Sequence, residues 1–548
     1  MPNHGDPPSR TSAHDARGIL SNLRVVSLTT LLSRILGMAR DMAMAGLFGA
    51  GTTLDAFIVA FRLPNLARQL FGEGALTVAF LPVFQKERQE HGDLAARSTF
   101  SAVYVCLAST LIAIVACLEL LIGAYLWSTT AEPSTTLLLT LLMLMLPYLV
   151  CICLAALASA ALHSMRQFFW PAMVPVVLNA LWLIGAWGTW LATDAGEQET
   201  RAKLLAGVVT IAGVGQLLLP LSVLQRQGMG LVRSWRTGLP QVRRVVVTMG
   251  PVVAGMAVVQ CNAVLDSLLA WGLARPETGG PAWCESIGIP PLLEAGTAAA
   301  LYLGQRMYQF PLGVFGIALA TVLFPVLTQH AQREEWDLLR ADLSRGLRIV
   351  IAIALPASAG LVVLAGPIAM TLFRHGEFSQ QDAQLTARMI AIYGGGTWCY
   401  ISLSILNRAF YAIGDRMTPM RYGLMALILN VPLNLLLAWF LGGIGLALGS
   451  VLACFLQVSL TYLKLTGQVG KIHAAQFSGT LLRGAIATAV MTAAAVGVLF
   501  ALPDGPDLLQ RVARLLLPCL TGVVAYFVAA RLLGLRELEE LLHRNDQT

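Results

Sequence analysis

About fourteen stretches of this 548-residue chain are apolar and long enough to cross a bilayer as α-helices. They lie near 24–49, 54–85, 98–127, 135–162, 168–191, 203–225, 243–272, 297–328, 346–373, 383–412, 418–441, 444–466, 479–502 and 508–533. A soluble core has no room for so many such runs, and a membrane β-barrel would show short segments of alternating polarity instead. Charged residues make up only 12% of the chain, about half the usual share in soluble domains. The expected fold is an all-α polytopic membrane protein.

The net charge of +7 raises the question of nucleic acid. The basic residues, however, gather in short loops between spans, and no basic run with interleaved aromatics lies outside them. No nucleic-acid partner is expected. One set of alternate connections carries Lys86, Arg88, Arg97, Arg166, Arg226, Arg233, Arg236, Arg243, Arg244, Arg333, Arg340, Arg345, Arg348, Arg416, Lys464 and Lys471. The opposite set is poorer, with Arg201, Lys203, Arg275 and Arg374. The positive-inside rule then places both termini in the cytoplasm, which an even number of spans allows.

Eight of the nine cysteines sit in apolar runs and Cys284 lies in a polar connection, so neither a disulfide framework nor a metal site is expected. Residues 1–22 read as a disordered cytoplasmic tail. The apolar run after them lacks a small-residue cleavage site and reads as the first span. The connection 275–296 is rich in Pro and Gly and reads as an exposed outer cap that ends in a short helix.

An internal repeat is legible. The second span contains FRLPN (61–65) and ends in LPVFQ (81–85); the eighth contains YQFPLG (308–313) and ends in FPVLTQ (324–329). An offset of six spans makes the two copies parallel, the arrangement of transporters whose substrate binds between two halves; chance similarity between proline-kinked helices is the competing reading. The expected organisation is an N-lobe at 23–227, a cytoplasmic linker at 228–240 and a C-lobe at 241–467. Two further helices follow at 476–534, then a cytoplasmic tail at 535–548. The last two spans either pack against the lobes or meet a lipid chain.

Chemistry concentrates between Ser33 and Pro82, where Arg34, Arg40, Asp41, Asp55, Arg62, Arg68 and Glu73 interrupt apolar sequence. An arginine at the centre of a spanning helix costs about 2.5–3.5 kcal/mol on insertion scales, so such charges usually face a water-filled cavity. Arg34 falls about 15 Å along a helix that starts near Arg24, close to mid-bilayer. Gly37, Gly46, Gly49 and Gly51 suggest a broken first helix. Arg306 lies at a similar depth in the eighth span. A guanidinium stays ionised when partly desolvated and offers a planar fork to phosphate or carboxylate oxygens. Arg34, Arg40, Arg68 and Arg306 are therefore candidate ligands for a large anionic substrate. Asp41, Asp55, Arg62 and Glu73 are supporting charges, with Asp55 placed to cap the outer start of its own helix. The same arginines can also simply pair with Asp41, Asp55 and Glu73. Asp266, Asn430, Asn434 and Ser450 form a weaker candidate ion site, for which interhelical hydrogen bonding is the competing role. No Walker A loop, G-x-S-x-G elbow or H-E-x-x-H motif occurs, so neither an ATP site nor an enzyme is expected. Gly394-Gly395-Gly396 is expected to bend the tenth span.

The segments SRILGMARD (33–41), DAFIVAFRLPNLAR (55–68), GEGAL (72–76), FPLGVFGIALATVLFP (310–325) and RAFYAIGDRMTP (408–419) resemble the MurJ (MviN) family of lipid II flippases, over about residues 22–533. The resemblance implies fourteen helices in two lobes and alternating access in the bacterial inner membrane. The cargo it implies is lipid II, the undecaprenyl-diphosphate-linked peptidoglycan precursor. It places the functional arginines on Arg34, Arg40, Arg68 and Arg306, the first-lobe acids on Asp41, Asp55 and Glu73, and the ion site on Asp266, Asn430, Asn434 and Ser450. It also implies membrane lipids and other cell-wall synthesis proteins as partners, and no cofactor. Energy would come from the membrane potential or a Na⁺ or H⁺ gradient. Gln305, Gln309 and Asn434 depart from acids found in some members. The alternatives are a flippase for another polyprenyl-diphosphate glycan, a drug or cation antiporter of the same superfamily, and a membrane glycosyltransferase. Arginines rather than carboxylates in the cavity weigh against the antiporter. The outer acids Glu277, Glu285 and Glu294 lack a catalytic setting.

Overall fold

A computed structural model describes residues 10–70, 76–129, 131–194, 196–277, 281–470, 474–505, 507–535 and 537. Among these residues there is no strand beyond a single bridge between Ala274 and Leu293. Helices satisfy their own backbone groups, which is what a hydrocarbon environment demands. Among the described residues, ten helices are individually long and apolar enough to span, and a bent pair supplies an eleventh. The remaining expected spans fall on α1, α2 and α7, so fourteen crossings are compatible with the fold.

The first compact unit takes the chain up to Leu47 and then Val59–Gln260. It holds α1 (Arg10–Phe48), most of the second half of α2 (Thr52–Ala67), α3 (Leu76–Ser128), α4 (Pro133–Ser164), α5 (Phe169–Ala192), α6 (Gln198–Arg226) and the start of α7 (Leu239–Gly272). Two expectations change here. Residues 10–22 are helical rather than a disordered tail; no Pro occurs between Arg10 and Leu63, and the stretch simply extends α1. The first helix is also unbroken through Gly37. A glycine costs a helix only about 1 kcal/mol, and the charged groups beyond it find side-chain partners. The break comes at Gly49, where φ is +66°. Between the second and third expected spans the chain stays helical, and α3 kinks only at Gly92. The core of this unit joins Phe80, Phe84 and Phe100 to Leu157, Leu162 and Leu224.

The second unit takes Phe48–Ile58 and everything from Cys261 onward. After α7 come α8 (Thr297–Pro311), α9 (Ile317–Gln332), α10 (Trp336–Val363), α11 (Ala365–Leu372), α12 (Gln380–Gly395), α13 (Thr397–Ala412), α14 (Met417–Leu441), α15 (Gly443–Val469), α16 (Ala474–Ala501) and α17 (Leu508–Leu532). The glycine triplet bends the tenth span as expected: α12 and α13 meet at 41°. The outer connection carries its short helix in the middle, as a 3-10 turn over Trp283–Ile287. The last two helices pack on α10 through small residues, with Ala352, Ala487, Ala529 and Ala530 around Tyr526.

The repeat has a local structural signature. In α2, Pro64 is followed by π-type winding over 68–70; after α8, Pro311 is followed by a π turn over Leu312–Gly316. Each proline removes one rung of the helical hydrogen-bond ladder, and a wider turn follows within a few residues.

Candidate substrate and ion sites

Within the first unit, the charged face of α1 is organised by α5. Arg40 and Asp41 are 6% and 2% exposed. Neighbours in sequence do not normally face each other on a helix, yet the Arg40 Nε and Nη2 both donate to Asp41 Oδ1, at 3.1 and 2.8 Å. Arg40 Nη1 donates to Asn179 Oδ1 at 3.3 Å, and the guanidinium lies 4.7 Å from the centre of the Trp182 ring. Asn179 and Trp182 are three apart on α5 and so share a face. Asn179 Nδ2 also donates to the Ser33 carbonyl at 3.1 Å. Burying an ion pair is favourable only when its remaining donors are satisfied, and here α5 supplies those partners. Arg40 is thus held inside the helix packing.

Arg34, one face further along α1, is exposed, and no hydrogen bond or ion pair holds it among the described residues. Arg62 and Arg68 are half-buried. Arg68 sits at the π winding and donates from Nε to Asn65 Oδ1 at 3.0 Å. Phe61, on the same helix, packs edge-on against Trp182 at 5.0 Å and against Tyr148 at 6.0 Å. The Tyr148 Oη is buried without a hydrogen-bond partner. Glu73 lies outside the described residues. Sequence reasoning missed Asn179, Trp182 and Tyr148, because an Asn or an aromatic inside an apolar run carries no signal of its own.

Arg201, read from sequence only as a loop charge, is buried. It donates to the Leu47 carbonyl at 3.1 Å and to the Thr193 and Asp194 carbonyls at 3.3 and 3.1 Å. These bonds satisfy carbonyls at the ends of α1 and α5 that no helical N–H can reach.

In the second unit, Asp55 is 1% exposed and accepts from the Gly296 and Ala299 backbone N–H groups at 2.8 and 2.7 Å. It caps a helix, as expected, but the helix is α8 rather than its own α2. A carboxylate suits the positive end of the helix dipole. Gly296 has φ +84°, and a Cβ there would overlap the Ala50 carbonyl oxygen, so only glycine allows the approach. Ten residues beyond, Arg306 is half-buried, its guanidinium carbon 5.7 Å from the Tyr302 ring centre. Gln305 turns the other way and donates to the Tyr393 hydroxyl at 3.1 Å.

The candidate ion residues do converge. Asp266, 2% exposed, accepts at Oδ1 from Asn430 Nδ2 (2.8 Å) and Asn434 Nδ2 (2.7 Å), and at Oδ2 from Ser450 Oγ (2.7 Å). Asn430 Nδ2 also reaches Asn262 Oδ1 at 2.8 Å, a residue the sequence did not single out. The Oδ1 atoms of Asn430 and Asn434 are buried without partners. An amide turned over presents oxygen in place of NH₂, so one carboxylate and up to three amide oxygens surround one point.

The 408–419 segment has a capping role. Partial burial acts to raise the Asp415 carboxyl, but donation from Thr418, Gln468 and Met417 outweighs it and holds the group below its ordinary value. Asp415 receives the Met417 and Thr418 N–H groups at 3.1 and 2.9 Å and so starts α14.

The profile of the family described as Lipid II flippase MurJ matches residues 44–503. A "Probable lipid II flippase MurJ" of Vibrio cholerae is 32% identical, covering 95% of this chain and 97% of its own. A "Lipid II flippase MurJ" of Burkholderia cenocepacia is 31% identical over 81% of this chain and 83% of its own. Among solved structures, "Lipid II flippase MurJ, inward closed conformation" superposes with a TM-score of 0.72 at 22% identity, covering 94% of this chain and 99% of that one. An inward-facing multidrug resistance MATE family transporter of the MOP superfamily follows the same fold at a TM-score of 0.61 and 12% identity, over 81% of this chain and 97% of its own.

Proposed function

The chain belongs to the MurJ family of lipid II flippases, and we propose that Arg34, Arg68 and Arg306 recognise the diphosphate of its cargo. The protein is a multi-pass inner-membrane transporter of lipid II, not an enzyme. The observation that carries the arginine assignment is Arg34, a guanidinium exposed on α1 and without a partner among the described residues. Arg68 and Arg306 lie half-buried, Arg68 beside a π turn and Arg306 beside a tyrosine. Arg40 serves the same recognition from behind: held by Asp41, Asn179 and Trp182, it sets the rotation of α1 and the direction in which Arg34 points. Asp55 sets the start of α8 and with it Arg306. Arg62 supports the same helix as Arg68.

Alternating access moves the head group across while the lipid tail stays in the bilayer. Both termini face the cytoplasm in this reading, consistent with the loop charges. A membrane potential acts at about 2.3 kcal/mol per charge per 100 mV, enough to bias the return of an empty carrier with unneutralised arginines. The test is rescue of cells depleted of their own lipid II flippase, read by a toxin or protease that acts only on outward-exposed lipid II. Normal membrane expression without restored exposure would refute the reading.

Asp266, Asn262, Asn430, Asn434 and Ser450 support a second proposal for the same protein. One carboxylate among amide and hydroxyl oxygens matches one monovalent cation or one proton, and the unpartnered amide oxygens favour such an occupant. Asp266→Asn is expected to lower lipid II exposure about tenfold, the scale of one lost charge-assisted interaction. Replacing Na⁺ by choline then separates the ions: a matching loss in the wild-type chain points to Na⁺, none to H⁺. Undiminished exposure with Asp266→Asn removes the proposal. A further expectation concerns the α1–α5 contact. Asn179→Ala removes one acceptor of a buried guanidinium, and thermal unfolding in detergent should show a loss of about 1–3 kcal/mol.

A further inference from the structure

Between the end of α6 and the second turn of α7, the chain carries Arg226, Arg233, Arg236, Arg243 and Arg244 and not one acid; the first beyond them is Asp266. All five arginines are exposed, and none pairs with a carboxylate among the described residues. Arg236 rests 5.8 Å from the centre of the Trp235 ring. Five unpaired like charges in a short stretch repel one another, so this stretch is stable only if solvent or an anion compensates them.

The stretch is a built surface, not a loose loop. The Val232 N–H donates to Ser101 Oγ at 2.9 Å, Arg97 Nε donates to the Gly230 carbonyl at 3.3 Å, and the Ser98 and Ser234 hydroxyls lie 3.4 Å apart. Gly238 presses against α3 so closely that a Cβ would overlap the Ser98 carbonyl oxygen. With the backbone pinned on α3, the side chains left outside are arginines interleaved with Leu231, Leu239, Val246 and Val247, all exposed. Arg243 and Arg244 also sit near the start of α7, where the helix dipole disfavours cations and attracts anions. No acid occupies the first turn of that helix.

We propose that this surface is a binding site for anionic phospholipid headgroups of the adjoining leaflet. The occupant follows from position. The connection joins α6, long and apolar enough to span, to α7, on which an expected span falls, over only twelve residues, Gln227–Gly238, and so stays close to the bilayer surface. Exposed aliphatic side chains reach the acyl boundary while guanidinium forks bind phosphodiester oxygens bidentately. Basic groups beside a spanning helix each add about 1 kcal/mol of attraction to an anionic leaflet. The bound headgroups fix the α6–α7 connection at the membrane plane.

The test uses the full-length protein in detergent, titrated with short-chain phosphatidylglycerol, short-chain phosphatidylcholine and inorganic phosphate. The wild-type chain should bind phosphatidylglycerol well above the other two, and less tightly as salt rises. The combined variant R233Q/R236Q/R243Q/R244Q should lose about tenfold or more of that affinity, and the matching set of lysine substitutions, which keeps the charge but not the fork, should fall between the two. If the combined variant does not fold, R233Q and R243Q singly should each lose about fivefold. Equal binding of phosphatidylcholine, equal binding of inorganic phosphate, or undiminished binding by the glutamine variants would each overturn the proposal.

Discussion

Arg34→Ala and Arg306→Ala each abolish rescue of a lipid II flippase depletion while the protein still inserts into the membrane at normal levels. The physical basis is the loss of a charge-assisted, forked contact to the diphosphate. Such contacts are worth about 1.5–3 kcal/mol, or roughly ten- to a hundredfold in binding. Arg34 has no competing partner among the described residues, so its removal leaves no buried carboxylate exposed and stability should change little. That separates a substrate role from a structural one. Arg34→Lys keeps the charge but loses the planar fork, and should fall between the wild type and alanine. Arg40→Ala should differ in kind, because it strands Asp41 in a buried setting; its loss of rescue should come with a lowered unfolding temperature. Normal rescue by both Arg34→Ala and Arg306→Ala would end the diphosphate assignment.

Asp55→Ala produces the largest expected loss of stability outside the aromatic packing. The carboxylate accepts two backbone N–H groups at the start of α8 and is almost completely buried. Removing a helix cap costs about 0.5–2 kcal/mol, and leaving buried N–H groups unsatisfied adds about 1–3 kcal/mol. Asp55→Asn keeps one acceptor but turns an NH₂ toward a second donor, so it should recover only part of that loss. Thermal unfolding in detergent, followed by labelling of buried cysteines such as Cys399, reads the effect directly. An unchanged unfolding temperature for Asp55→Ala would mean that the α8 start is held by other contacts. Gly296 provides a control at the same junction: a Cβ there meets the Ala50 carbonyl, so Gly296→Ala should destabilise the junction without removing any charge.

Much of the fold was legible because a bilayer allows few solutions. Apolar runs of spanning length must be helices, and the proline-marked repeat showed where one half echoes the other. The π turns after Pro64 and Pro311 are the backbone consequence of that same pattern. The convergence of Asp266, Asn430, Asn434 and Ser450 was also anticipated, since Asn430 and Asn434 share a helix face and bring their two amides to one carboxylate. Partners within apolar sequence were not legible. Asn179 and Trp182 become neighbours of Arg40 only when α5 packs on α1, and Asn262 becomes a neighbour of Asn430 only when α7 packs on α14; their composition resembles any packed helix. The expectation of a broken first helix failed for a related reason. Glycine content predicts weakness in an isolated helix, but α1 is stabilised by its docking against α5.

By itself, then, the sequence determined the solvent, the class of fold, the repeat and the positions of the charges, because each follows from local polarity and spacing. Only the tertiary structure decided which charges are occupied. Asp41 could have faced Arg34 by helical spacing, yet it binds Arg40, because Asn179 and Trp182 orient the guanidinium. Asp55 could have capped its own helix, yet it caps α8, because Gly296 lets two backbones approach within contact. Those choices depend on residues far apart in the chain, where close packing and the pairing of these two buried carboxylates leave one arrangement.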